Sequence, residues 1–304
     1  MRSRQRGVAI VLAMSVVALA AMAAVGILVS QSTWARHSEL ASGHAQAQQL
    51  ARAGIDWARA VLAEDRRISN LDHLGEPWAV RAAPVSFENG QIGGSIDDAQ
   101  ARFNVNNLAV DGIVSRVELL RLRRLLEILE LPQTLAEALA DWIDADGNPL
   151  SAAGAEDAYY ANLPTPYLAA NRPLADISEL ALVKGFDARV IAKLRPFVIA
   201  LPLATQVNVN TAPAEVLAAT IDGLTLDAAR ALVKERERKY FYSVQDFANR
   251  LPGSVKLPET GIALASRFFI VSLQARAGSA QSTATALLSR EAGGWPTIIW
   301  QKVL

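Results

Sequence analysis

The sequence predicts an α+β fold: a long N-terminal transmembrane and amphipathic helix, then an antiparallel sheet interrupted by a large helical insertion. Three observations carry that expectation. Val8 to Ser30 holds no charged residue and runs without a break signal into an amphipathic stretch. Strand-like alternation occurs twice, near residues 84–105 and again near 269–303. Helical spacing dominates residues 112–250 between them. The implied units are 1–7, a short basic N-terminus; 8–30, a membrane helix; 31–65, its amphipathic continuation; 66–110, the first part of a head; 111–205, a helical insertion; 206–265, a second helical segment; and 266–304, closing strands.

At the N-terminus, Arg2, Arg4 and Arg6 stand without an acid among them. The uncharged run that follows is long enough to cross a hydrocarbon core of about 30 Å as a helix. The arginines hold their end in the cytoplasm, which puts everything after residue 30 across the membrane. A cleaved secretory signal is one alternative, with Ala18, Ala20, Ala21 and Ala23 offering small residues, but its apolar core is usually about 7–15 residues. A plain uncleaved anchor is another. From Gln31 to Glu64 there is no proline, and Gly43 and Gly54 are isolated. Leu50, Trp57, Ala58, Val61 and Leu62 recur at helical spacing, while Arg52, Asp56, Arg59 and Glu64 take other faces. Together the two stretches predict one rod of about 55 residues, roughly 80 Å long. Trp34, just beyond the apolar run, reads as an interfacial anchor.

In the head, Val85 and Phe87 lead to Asn89-Gly90, a strong hairpin signal, and then to Ile92 and Ile96. Gly93-Gly94 reads as a glycine bulge; no Lys-Ser/Thr follows to make a phosphate loop. Ala101, Phe103 and Val105 predict a further strand. Val117, Leu119, Leu120, Leu122, Leu125, Leu126 and Leu129 with interleaved arginines predict a helix. Phe269, Val271, Leu273 and Ala275 alternate before Gly278-Ser279, and residues 281–291 and Thr297–Val303 complete the strands.

Composition narrows the function. The 304 residues are 51% hydrophobic and 20% charged, with 30 basic and 30 acidic side chains. A balanced charge gives no reason to expect a polyanionic partner. The absence of cysteine excludes disulfides, thiolate metal sites and cysteine nucleophiles. His37 and His44 lie on the proposed rod and His73 is isolated, so no histidine sits in a catalytic or metal-ligand spacing.

One acidic stretch has metal-ligand character. Asp144, Asp146 and Asn148 alternate around Gly147, like the start of an EF-hand loop, but the twelfth position falls on Ala155. Glu156 and Asp157 follow directly. Such a set suits Ca²⁺, which takes six to eight oxygens; a solvated Asx turn without metal is the alternative. Asp144, Asp146, Glu156 and Asp157 are the candidates, with Asp141 and Asn148 as further ones.

The N-terminus resembles a type IV prepilin leader, basic and ending in Gly7, after which the prepilin peptidase would cut and leave an N-methylated Val8. Leu12 stands where such proteins usually carry Glu. The run Asp141-Trp142-Ile143-Asp144-Ala145-Asp146-Gly147-Asn148-Pro149, with Gly154 to Asp157, Tyr159-Tyr160, Pro166-Tyr167 and Asn171, closely resembles the signature of the K minor pseudopilins of type II secretion systems. Val207-Asn208-Val209-Asn210-Thr211-Ala212 with Glu215-Val216-Leu217 resembles their second signature. The resemblance implies a pilin-like sheet interrupted by a SAM- or helix-hairpin-helix-like insertion, and a non-enzymatic role in protein export. It implies an inner-membrane anchor, a periplasmic head, structural calcium, and partnership with the I and J minor pseudopilins at the filament tip. A minor pilin of a type IV pilus is the alternative.

A third reading is a membrane-anchored DNA-binding protein. Residues 207–236 and 182–194 resemble helix-hairpin-helix modules, which bind phosphate through a Gly-x-Gly turn. Here the second glycine is missing in both Gly223-Leu224-Thr225 and Gly185-Phe186-Asp187, and Asp187, Asp222 and Asp227 flank the turns. The expectation is a shared fold without nucleic-acid binding.

Overall fold

A computed structural model describes residues 4–87, 90–291 and 294–304. The expected rod is one helix, α1, spanning Arg4–Ile68 over 65 residues. No residue of its most apolar window is buried. From Ala47 onward one face packs on a sheet, through Ala47, Ala51, Ile55, Ala58 and Leu62. Ala58 and Leu62 of the stripe expected from sequence lie on that seam, whereas Leu50 and Val61 are only partly buried and Trp57 is 57% exposed. Alanine at the contact lets the helix axis approach the sheet closely. Gly54 serves the same end, because a Cβ there would stand 2.5 Å from Ile92 Cδ1.

The sheet has five antiparallel strands in simple meander order: β1 (Ala82–Phe87), β2 (Gly90–Asp98), β3 (Phe268–Ala277), β4 (Ala280–Ser289) and β5 (Thr297–Val303). Residue Asn89 of the expected β1–β2 turn, like Arg2 at the N-terminus, lies outside the described residues. Period-two alternation splits the strands between two cores. Phe269, Val271, Leu273 and Ala275 of β3, with Ala284, Ala286 and Leu288 of β4, face α1. Phe268 and Leu287 face the other way, onto Ala99, Ile199 and Leu201 of the inserted segment.

The insertion occupies the whole interval between β2 and β3. The strand expected through Ala101, Phe103 and Val105 is not part of the sheet. Only Phe103–Asn104 is extended, paired in parallel with Val198–Ile199, and short 3₁₀ turns flank it at Ala99–Ala101 and Val105–Leu108. The cause is local: Asp98 accepts a hydrogen bond from the Gln100 amide and Asn104 one from the Asn106 amide. Such side-chain bonds favour turns over a ladder.

Within the insertion, α2 (Arg116–Ile128), α3 (Leu135–Ile143), α4 (Asp157–Tyr160) and α5 (Ala188–Leu194) enclose a core that includes Leu122, Leu125, Leu139, Trp142 and Tyr160. A second core, with Val216, Leu217, Leu232, Phe241 and Phe247, lies among α6 (Ala214–Thr220), α7 (Leu226–Arg238) and α8 (Val244–Arg250). Arg121 braces the two, donating to Glu118 and to the carbonyls of Thr220 and Thr260.

A buried polar clasp closes the sheet where the chain leaves and re-enters it. Asp98, at the end of β2, accepts from Asn208 Nδ2 (2.9 Å), Thr211 Oγ1 (2.6 Å) and Ser266 Oγ (2.7 Å). Arg290, just after β4, pairs with Asp65 (2.7 Å) and with Asp72, whose other oxygen accepts from the Ser266 amide. The Arg290 guanidinium also lies 4.5 Å over the Phe269 ring. The second signature expected from sequence is thus a structural joint: Asn208 and Thr211 hold the strand ends, and Asn210 exchanges two hydrogen bonds with the Phe241 backbone.

Burial holds Asp65 up at about 6 and raises Asp72 as well, with Glu76 adding repulsion that Arg290 only partly offsets. Removing Arg290 would leave two buried carboxylates without a counter-ion. Arg290→Leu is expected to cost about 3–5 kcal/mol in urea unfolding at pH 7. The loss should shrink as pH falls through about 6, where Asp65 takes up a proton and needs no cation.

Candidate metal centre

The site forms where α3 ends. Its last turn carries Asp141, and Asp144 is the first residue beyond it, its amide still bonded to the Ala140 carbonyl. The chain then loops out through Asp146 and returns at Glu156, immediately before α4. Asp141 ties the loop to itself: Oδ1 accepts from the Leu150 amide at 3.1 Å and Oδ2 from the Ala155 amide at 2.8 Å. Gly154 is required there, since a Cβ would lie 2.0 Å from Asp141 Oδ2.

This loop brings Asp141, Asp144 and Glu156 together, each offering a carboxylate oxygen within 4.8 Å of the others. All three are buried, Asp144 to 1% and Glu156 to 4% exposure. Asp144 Oδ1 and both Glu156 oxygens have no hydrogen-bond partner. Burial comes first in lifting Asp144 to about 7, followed by repulsion from Asp146 and Asp141. Glu156 is likewise lifted to about 7, by burial and then by Asp144, Asp141, Asp146 and Asp157. Asp141 is raised by burial against the pull of its two amide bonds.

The other residues singled out from sequence sit differently. Asp146 is exposed at the rim, its carboxylate accepting from the Asn148 amide at 2.7 Å in an Asx turn. Asn148 is exposed in the same turn. Asp157 is exposed, and its Oδ1 accepts from the Ala169 amide at 2.9 Å. Gly7 and Val8 lie within α1. Both helix-hairpin-helix-like turns have their glycine at positive φ, +84° at Gly185 and +75° at Gly223. The helix amides beyond them are already capped by side chains: Asp187 accepts from Val190 N, and Thr225 from Ala228 N. Asp222 pairs with Arg124 at 3.1 Å. Sequence reasoning missed the second carboxylate group, Asp65, Asp72 and Glu76, which Arg290 and local bonds occupy. His73 stacks on Tyr240 with ring centroids 3.9 Å apart.

A buried all-oxygen cluster with orphaned carboxylates suits a hard divalent cation. Such an ion would give the orphaned oxygens their missing partner and neutralise the repulsion among them. Asp141, Asp144 and Glu156 would hold it, and Asp146 adds negative charge at the rim.

Two family models, both described as "Type II secretion system (T2SS), protein K", match residues 101–203 and 207–265. Type II secretion system protein K of Pseudomonas aeruginosa is 36% identical, the match covering 97% of this chain and 91% of that one. The protein K of Pectobacterium carotovorum is 32% identical, over 98% of this chain and 99% of its own. Among solved structures, a chain of the GspK–GspI–GspJ complex from the enterotoxigenic Escherichia coli type 2 secretion system superposes with a TM-score of 0.76. Its identity is 28%, and the match covers 90% of this chain and 99% of that one.

In a chelator, the lifted pKa values set a sign for stability against pH. Between the ordinary carboxylate value of about 4 and the folded value of about 7, the folded state binds more protons than the unfolded one. Stability should therefore rise as pH falls through 7 and level off near 4. Urea titrations across that range should show the slope, and the Asp144→Asn, Glu156→Gln double variant should reduce it, most of all near pH 7, leaving the part that Asp65 and Asp98 contribute lower down.

Proposed function

The chain belongs to the type II secretion system protein K family and is a minor pseudopilin of that system, and from this premise we propose how it works. The observation that carries the reading is the continuous α1, bare and apolar over its first half and packed under an interrupted sheet over its second. The first half anchors the chain in the inner membrane, with the head in the periplasm. Basic residues ahead of Val8 hold that orientation. After Gly7 is recognised by the prepilin peptidase, Val8 becomes the N-methylated first residue, and the same helix passes from lipid into the bundle of neighbouring pseudopilin helices.

In that bundle the partners are the I and J minor pseudopilins; the name of the superposed complex, in which a protein K sits with I and J proteins, supports this. A tip position suits two features of the chain. Leu12 replaces the glutamate that would neutralise the terminal amine of a neighbour in lipid. The insertion between β2 and β3 is too bulky to be stacked repeatedly along a shaft. The role is mechanical and involves no catalysis by this chain.

Calcium is the cation for which the buried cluster is best suited, held by Asp141, Asp144 and Glu156 with Asp146 nearby. Its contribution is structural: it fixes a loop of like charges that otherwise repel one another. Because the ligands must be deprotonated, binding should weaken below pH 7 and release protons.

Two experiments test these readings. Co-expressed with its prepilin peptidase, the chain should show by intact mass an N-methylated Val8 start, whereas Gly7→Trp should remain unprocessed and fail to restore secretion. Normal maturation of that variant would sink the prepilin assignment. Isothermal titration with calcium at pH 7.5 should show binding that Asp144→Asn abolishes; an unchanged isotherm would remove the cluster as the site.

A further inference from the structure

The turn from Leu182 to Ala188 resembles a phosphate-binding hairpin, yet its lysine reaches back to the loop that carries the carboxylate cluster. Lys184 Nζ donates to the Gly154 carbonyl at 2.9 Å and the Ala153 carbonyl at 3.3 Å, and lies 4.8 Å over the Tyr159 ring. The Lys184 amide donates to the Tyr160 hydroxyl at 3.2 Å. Among the described residues Lys184 forms no ion pair, although acids crowd this end of the insertion. Its charge is directed at carbonyls, so the cluster keeps its negative charge for a cation.

One peptide further on, the Ala155 amide donates to Asp141 Oδ2. The strip 153–156 is therefore gripped from two sides, its carbonyls by Lys184 and its amide by Asp141. Glu156 ends that strip and has no hydrogen bond of its own to fix its carboxylate. The hairpin is anchored in the core of the insertion. Val183 and Phe186 are buried, and Gly185 at φ +84° turns the chain, with no room for a Cβ beside Leu135.

We propose that Lys184 is a positioning residue of the cation site: its bonds to the Ala153 and Gly154 carbonyls present Glu156 to Asp141 and Asp144 and so set the affinity for calcium. The hairpin thereby serves as the outer support of a metal loop instead of a nucleic-acid contact. The inference rests on the calcium reading above. Losing a partner bonded to a ligand itself typically weakens metal affinity by about 10–100-fold, and Lys184, which acts through the backbone, is expected at the low end of that range.

The test uses the full chain in detergent, with calcium and with terbium, whose luminescence Trp142 and Tyr160 are placed to sensitise, their rings 5.0 Å apart in the core beside the site. Lys184→Met should weaken binding of both ions by about tenfold or more, and Lys184→Arg, which keeps a cationic donor, should restore most of it. Melting in chelator should fall by much less for Lys184→Met than melting in calcium does, and hardly at all for Lys184→Arg. Wild-type affinity in Lys184→Met would overturn the proposal and leave the calcium site standing. So would a loss of melting temperature in chelator equal to that in calcium, since the role would then be structural alone. Should Lys184→Met not fold, weak binding by a folded Lys184→Arg would overturn it equally. Absence of binding by the wild type would overturn the calcium reading and this inference together.

Discussion

The head depends on one constraint: β2 and β3 must pair although residues 99–267 lie between them. Loop-closure entropy alone rises only slowly with such a separation, but nothing local holds the two strands in register. The register is held at the seam. Asp98 ends β2 and receives hydrogen bonds from Asn208, Thr211 and Ser266, so one buried carboxylate gathers the strand end, the insertion and the strand's continuation. Burial lifts Asp98 to about 6, against these bonds. A carboxyl in that position costs stability, and what it provides is a specified closure of the sheet. Asp65, Asp72 and Arg290 extend the same clasp to the end of α1.

The two halves of α1 obey different solvents. From Val8 to Ser30 it carries no charge on any face and is exposed throughout, the pattern of a helix surrounded by lipid or by other helices. Over its second half the buried seam is mostly alanine, with Ile55 and Leu62, and Gly54 where side chains from β2 and β3 approach. Small residues let a straight helix lie close to a twisted sheet, so the head is fixed to the rod by close packing along its length.

The carboxylate cluster shows the opposite strategy. The clasp satisfies each of its acids with donors, whereas the loop between α3 and α4 buries Asp144 and Glu156 and leaves Asp144 Oδ1 and both Glu156 oxygens without partners. Inside the insertion this is costly unless a proton or a cation arrives. The loop lies next to aromatic packing, Trp142 against Tyr160 and Tyr160 against Tyr167, that its order would help to keep.

Much of this was legible in the sequence because it is carried by local period and composition. The uncharged run and its helical continuation define the rod. Alternation defines β3 to β5, and the acidic residues around Gly147 mark the loop that carries the buried carboxylates. The tertiary structure alone decided which atoms meet. Asp141, a secondary candidate by spacing, lies at the centre of the cluster, while Asp157 and Asn148 turn to backbone amides or solvent, because side-chain direction follows from where α3 stops. The strand expected at residues 101–105 gives way to turns that Asp98 and Asn104 cap. The seam of α1 runs through alanines that hydrophobic period underweights. The clasp joins residues more than two hundred positions apart, Arg290 with Asp65 among them, and no local pattern can encode a pairing that exists only once the sheet has closed.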